Sequence, residues 1–197
     1  MVSGIILAAG PSKRMGTPKA ILKFGNETFV EHIVHALNSA RITDIVVVLG
    51  SEAETIRKSM TLSTGKIVVN DRWSEGQLSS LIAGLDAIER EDVNAALVCP
   101  ADHPLVSQEI IVGLLTAYWK SNKKIIVPTF EGRRGHPVIF DKTLFAEIRL
   151  APPDVGAREV VRNHTNEIAE VPVDTDRVLR NIDTPEEYAS MIAESLK

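Results

Sequence analysis

The sequence predicts an α/β protein built in three layers, a mostly parallel mixed sheet with helices on both faces. Three observations predict it. Short, almost wholly apolar runs alternate with segments whose apolar residues recur at helical spacing, the signature of βα units. The chain has 197 residues with 44% hydrophobic content, enough for one full core, so one domain over residues 1–197 is expected. Glycines, cations and aspartates fall just after the apolar runs, where parallel sheets gather their ligands.

Residues 2–7 read as a short buried strand, and residues 28–40 as an amphipathic helix on Val30, Ile33, Val34 and Leu37. Residues 45–49 form the second strand. Residues 51–60 follow as a helix opened by Ser51 as N-cap with acidic residues in its first turn, and residues 66–69 are the third strand. Residues 77–88 are helical, residues 95–99 are the fourth strand, and residues 107–119 form a helix with Ile110, Ile111, Leu114, Leu115 and Tyr118 facing inward. After Lys120 the alternation loosens. Strands are expected at 125–127, 138–140 and 168–173, some of them antiparallel, with short helices near 142–148 and 156–162. The last helix, 185–196, has Thr184 as N-cap, proline at its first position and Glu187 completing a capping box.

Composition narrows the function classes. Lys and Arg number 22 against 26 Asp and Glu, and a net charge of −4 argues against bulk binding to nucleic acid or an anionic membrane, so any anion site must be local. Cys99 is the only cysteine, which excludes an internal disulfide and a cysteine-rich zinc site; on a buried strand it reads as a small core residue. With no secretory leader and no apolar run of membrane-spanning length, a cytoplasmic protein is expected.

The segment 4–19 carries the chemistry. It joins an apolar strand to a loop in which Ala8, Ala9, Gly10 and Gly16 let a polyanion approach backbone N–H groups, while Lys13, Arg14 and Lys19 supply charge. Such a loop is built to hold phosphates. Two aspartates in Pro-bounded turns, Asp102 and Asp183, are placed to accept a divalent cation, since Mg2+ takes one or two protein carboxylates and fills its shell with water and phosphate oxygens. A second role stays open for each: an Asx-turn at Asp102, and an accessory charge ahead of the last helix at Asp183.

Taken together, Leu7-Ala-Ala-Gly-x-Ser-x-Arg-Met-Gly-x-Pro-Lys19, Pro100-Ala-Asp-His-Pro104, Gly135-His-Pro-Val138 and Asn181-Ile-Asp-Thr-Pro185 resemble the molybdenum cofactor cytidylyltransferase group of nucleotidyltransferases, over nearly the whole chain. The resemblance implies the nucleotide-diphospho-sugar transferase fold, and transfer of a nucleoside monophosphate from an NTP to a phosphorylated acceptor with Mg2+ and release of pyrophosphate. It implies that Leu7, Ala8, Ala9 and Gly10 line the nucleotide, that Arg14 and Lys19 bind the triphosphate, and that Asp102 and Asp183 bind Mg2+. Ser79 and Ser80 are placed by it near base and ribose, with ordinary first-turn capping as the other role open to them. Related guanylyltransferases carry Leu-Ala-Gly-Gly where this chain has Leu7-Ala-Ala-Gly10, so CTP is the expected nucleotide.

His136, beside Arg133 and Arg134, suits an anionic acceptor such as a pterin phosphate, and Arg158, opening a helix after a Pro-Pro turn, is placed to close over it; a satisfied histidine at the start of a strand is the other reading of His136. Molybdopterin is the expected acceptor, with a recipient molybdoenzyme as a further partner. Two alternatives stay open: the same chemistry on an isoprenoid precursor or sugar phosphate, and a non-catalytic nucleotide- or cofactor-binding protein. Trp73, in a loop near the core, is expected to be structural. The spacing from Gly10 to Gly16 does not match a dinucleotide fingerprint.

Overall fold

The computed structural model describes residues 1–195; Leu196, the last residue of the final predicted helix, lies outside them. In chain order, β1 (Val2–Ala8) leads through a hairpin, β2 (Lys23–Phe24) and β3 (Glu27–Thr28), to α1 (Phe29–Ser39). Then come β4 (Ile45–Leu49), α2 (Ala53–Ser59), β5 (Lys66–Val69), α3 (Gln77–Ile88), β6 (Ala95–Pro100) and α4 (Gln108–Lys120). The later part holds β7 (Ile125–Phe130), β8 (Arg133–Arg134), β9 (Val138–Asp141), α5 (Phe145–Leu150), α6 (Ala157–Asn163), β10 (Ile168–Pro172) and α7 (Pro185–Ser195).

The main sheet runs β10-β7-β9-β6-β1-β4-β5, with β8 paired to β7. Parallel pairing joins β1 to β4 and β6, β4 to β5, and β7 to β10, while β9 is antiparallel to both β6 and β7. The mixed sheet expected after Lys120 is therefore present. β1, β4 and β6 are buried along their whole length because helices cover both faces. Ile6, Val47 and Leu97 pack with Ile33 and Leu37 of α1 and Ile111 and Leu114 of α4. Ile5, Val46 and Val48 pack with Leu81 and Leu85 of α3 and Phe145 of α5 on the other face. Each fully buried Leu or Ile contributes about 1.5–3 kcal/mol. Gly84 lets α3 seat closely, since a Cβ there would lie 2.5 Å from Ile5 Cγ2.

Strand order reverses at β1: the chain proceeds to β4 and β5 on one side and to β6 on the other. The carboxyl ends of β1 and β6, in register at Leu7 and Pro100, border the crevice that this reversal opens.

Some boundaries differ from expectation. Ser51 is not the cap of α2: its N–H donates to Ala9 O at 2.9 Å, and Glu52, left-handed at φ 57°, precedes the helix. The strand at 125 extends to Phe130 because Thr129 and Phe130 pair with Arg134 and Arg133 of β8. The helix expected at 142 begins as a 3-10 turn, Lys142–Leu144, with Asp141 as its cap. The capping box at α7 is formed, Glu187 N–H to Thr184 Oγ1 at 3.3 Å and Thr184 N–H to Glu187 Oε2 at 3.0 Å.

Candidate active site

The loop after β1 folds back on itself. Ser12 O accepts from Met15 N–H and Gly16 N–H, at 3.0 and 3.2 Å, and Ser12 Oγ accepts from the Lys19 N–H at 2.8 Å. Gly16, at φ 67°, takes the left-handed turn that a β-carbon disfavours. The turn delivers Lys19 to two carboxylates: Nζ lies 3.2 Å from Asp102 Oδ2 and forms a short hydrogen bond to Asp183 Oδ1. Arg14 Nη2 is 2.8 Å from Asp183 Oδ2. Four residues from three distant segments thus meet at one point. Asp102 leaves the end of β6, and its carbonyl accepts from Ile182 N–H at 2.8 Å, tying the Asp183 segment alongside. The Lys19 side chain is 18% exposed and that of Arg14 67%, so Lys19 is the enclosed cation and Arg14 stands at the rim. The hydrogen bond from Lys19, then the charges of Lys19 and Arg14, hold the Asp183 carboxyl below its ordinary range against the opposing effect of burial.

Two clefts adjoin this cluster. The smaller, about 240 Å³, is lined by Leu7, Ala8, Ala9, Gly10, Lys19 and Asp102, and by Trp73, Gln77 and Ser80 across from them in sequence. The larger, about 690 Å³, is lined by Arg134, His136 and Arg158 over an apolar floor that includes Leu78, Leu81, Val127, Val138 and Phe140. Leu7, Gly76, Gln77 and Pro100 border both, so the two are continuous across the ends of β1 and β6.

Ser79 and Ser80, paired in the sequence reading, separate. Ser80 lines the smaller cleft. Ser79 is buried, its hydroxyl within 2.8 Å of both Arg72 O and Gly76 O and accepting from Asn70 Nδ2 at 2.9 Å, so it braces the start of α3 and does not line the cleft. The expectation that His136 sits beside the guanidinium groups of Arg133 and Arg134 is refined in the same way. Arg133 and Arg134 are exposed on β8, where neighbouring side chains point to opposite faces, and Arg134 Nε pairs with Glu170 at 2.8 Å. The ring beside His136 is His103, centroids 4.8 Å apart, and Arg158 supplies the guanidinium charge it feels. Both imidazoles have a buried Nδ1 without a hydrogen-bond partner. Burial, then the neighbouring His103, pushes His136 down to about 4, and burial with the Lys19 charge lowers His103 against Asp102 and Asp183. Both shifts favour the uncharged imidazole.

Sequence reasoning gave no role to Asn70 or His103, while Gln77, in the segment 75–81 that the resemblance places at base and ribose, does line the smaller cleft. Asn70 is a buried brace, Nδ2 on the hydroxyls of Ser79 and Ser80 and Oδ1 accepting from Arg72 N–H at 3.0 Å. Its signal was faint: an asparagine at a strand end before a polar turn.

Among the described residues, no group of three or more His, Cys, Asp or Glu is arranged to hold a metal ion. A pair of carboxylates is nevertheless the donor set that suits Mg2+ when phosphate oxygens complete the shell, and Asp102 and Asp183 provide it. No helix among the described residues is long and apolar enough to cross a membrane.

Residues 4–168 match the MobA-like NTP transferase domain. Nicotine blue oxidoreductase of Paenarthrobacter nicotinovorans is 32% identical over 170 residues, covering 82% of this chain and 81% of that protein. A probable molybdenum cofactor guanylyltransferase of Bacillus cytotoxicus is 28% identical over 200 residues, covering 97% of this chain and 96% of its own. The crystal structure of Rv0371c in complex with manganese, from Mycobacterium tuberculosis, shares the fold with a TM-score of 0.80 at 22% identity over 98% of each chain.

Proposed function

Because the chain belongs to the MobA-like NTP transferase family, we propose that it acts as one nucleotidyltransferase domain, moving CMP from CTP to molybdopterin and releasing pyrophosphate, with delivery of the product to a recipient molybdoenzyme. The observation that carries this reading is the pair of continuous clefts, one beside Lys19 and Asp102, the other apolar-floored and rimmed by Arg134, His136 and Arg158. One fits a nucleoside triphosphate and the other a phosphorylated ring system. A sugar phosphate would leave its hydroxyls facing Leu81, Val127 and Phe140 without partners, at a cost of about 1–3 kcal/mol for each buried one.

The chemistry follows from charge. An ionised oxygen of the acceptor phosphate attacks the α-phosphorus in line, the bond to the pyrophosphate oxygen breaks, and the negative charge developing there meets Lys19 and Arg14. A phosphate needs no strong base at neutral pH, so His136, which lines the larger cleft with its value lowered to about 4, is suited to donate or accept a hydrogen bond to the acceptor without withdrawing its proton. Asp102 and Asp183 would hold Mg2+, which supplies Lewis-acid charge to the phosphates when bound. Manganese in the Rv0371c structure supports a divalent metal in this fold.

For the nucleotide, Ala9 lines the smaller cleft at the position where related guanylyltransferases carry glycine, and this supports CTP. GTP is the second reading, favoured by the guanylyltransferase name of the Bacillus relative that spans 97% of this chain. Pyrophosphate release measured across the four NTPs, with molybdopterin, methylerythritol phosphate and hexose phosphates as acceptors, tests both. CTP with molybdopterin should be fastest. GTP in first place replaces the first reading by the second, and no release with any pair refutes transfer.

A further inference from the structure

Trp73 opens the 3-10 turn Trp73–Glu75 between β5 and α3, and it is the only aromatic residue lining the smaller cleft among the described residues. The turn is fixed at both ends. Trp73 N–H donates to Asn70 O at 3.3 Å, Gly76 N–H donates to Trp73 O at 3.2 Å, and Asn70 is itself held by Ser79, Ser80 and Arg72. Gly50 brings this turn against the phosphate loop: a Cβ on it would lie 2.5 Å from Trp73 Cβ and 2.8 Å from Ala9 Cβ, and Trp73, Ala8 and Ala9 line the same cleft. The ring packs on no other aromatic among the described residues, and its Nε1–H has no hydrogen-bond partner there. Trp119, by contrast, lies edge-on to Tyr118 at 4.9 Å on α4.

A charged end at Lys19 and Asp102 and a flat apolar ring within one cleft match a ligand with a polyanionic tail and an aromatic head. We infer that the Trp73 indole is the stacking platform for the nucleobase, a binding role that rests on the nucleotidyl-transfer reading above. Stacking accepts any base, because every base has a π-face, so Trp73 sets affinity while the methyl of Ala9 sets the choice between bases.

The test uses the full chain carrying Trp119→Phe, which leaves Trp73 as the sole reporter. Titration with CTP and Mg2+ should quench the Trp73 fluorescence. In calorimetry, Trp73→Ala should weaken CTP by about tenfold, Trp73→Phe should stay within about threefold of the parent, and inorganic tripolyphosphate, which has the tail without the base, should bind all three alike. Parallel losses for CTP and tripolyphosphate would assign Trp73 a structural role and overturn the inference while leaving nucleotide binding intact. Unchanged CTP affinity in Trp73→Ala overturns it too. A parent protein that binds neither CTP nor tripolyphosphate overturns the transfer reading, and the platform falls with it.

Discussion

Replacing Lys19 with methionine removes the ammonium that joins Asp102 to Asp183 and keeps most of the apolar stem. In the native cleft Nζ is 3.2 Å from Asp102 Oδ2 and bonded to Asp183 Oδ1, with side chains 18%, 27% and 20% exposed. At an effective permittivity of 20, each pair is worth about 5 kcal/mol of raw attraction at this distance; desolvation and screening leave a net of about 1–3 kcal/mol. The variant then holds two facing carboxylates with only the rim guanidinium of Arg14 beside Asp183. Two consequences follow. The Asp183 value is depressed in the folded protein, so its contribution to stability is present above the unfolded value near 3.8 and is lost as pH falls through the folded value. Lys19→Met should therefore melt below the parent at pH 7 and converge with it on acidification below about pH 4. A divalent cation should also replace the missing ammonium. Addition of Mg2+ should raise Tm more in Lys19→Met than in the parent, whereas kcat/KM should fall by about 100-fold or more, since the leaving pyrophosphate loses its enclosed cation. Thermal melts with and without Mg2+, alongside pyrophosphate release, measure both. Equal Mg2+ shifts in the two proteins, with activity retained, would refute the bridge.

Ala9→Gly should raise kcat/KM for GTP relative to CTP, by no more than the roughly 1–3 kcal/mol that one steric contact supplies; an unchanged ratio removes Ala9 from nucleotide choice. His136 is held neutral, with its value lowered to about 4, so the unfolded chain takes up a proton between pH 6.5 and 4 that the folded one does not, and stability should fall over that window by about 3 kcal/mol. His136→Gln should flatten that part of the stability curve and raise the acceptor KM while leaving CTP affinity nearly unchanged; a tenfold loss of CTP affinity would put the residue in the nucleotide half. Gly135→Ala should cost about 2–3 kcal/mol, because its Cβ would sit 2.2 Å from Val178 O, and should lower Tm by roughly 5–10 °C; a Tm within 1 °C of the parent would contradict the packing described.

What the sequence disclosed follows from how local each signal is. The βα alternation, the helix at Gln77–Ile88 and the box at Thr184 and Glu187 are written in near neighbours, and they formed where read. The approach of Asp102 to Asp183 spans 81 positions and was read from two Pro-bounded turns suited to one cation and from the resemblance of ordered motifs; no spacing implies it. Which group lies between them was illegible, because Lys13, Arg14 and Lys19 all fit a phosphate loop, and only the Ser12 turn decides which one is enclosed. Ser51 is not the cap because the helix begins at Ala53 behind the left-handed Glu52, while Ser51 N–H ties the turn to the Ala9 carbonyl, a tertiary contact that no local pattern shows. Ser79 and Ser80 looked equivalent in sequence and are not, since consecutive helical residues face directions about 100° apart. His103 stood inside a recognised motif, yet its surroundings depend on the tilted ring contact with His136, 33 positions away.

The order of the strands explains how one crevice can hold the two ligands of the proposed reaction. β1 and β6 lie side by side at the reversal, so Leu7 and Pro100 border both clefts. Everything that lines the nucleotide side comes from residues 7–102, the part whose parallel strands and crossover helices fix the phosphate loop. Much of the acceptor side, from Val127 through Phe140 to Arg162, comes from the later segment, where β9 runs antiparallel and the helices are short. The two halves touch through a shared wall but are braced by different contacts, the first by Asn70 and Gly50, the second by Gly135 on Val178. In the proposed assignment the larger cleft selects the acceptor, because the guanidinium groups of Arg134 and Arg158 and the uncharged ring of His136 surround a floor that offers an incoming ring apolar contact.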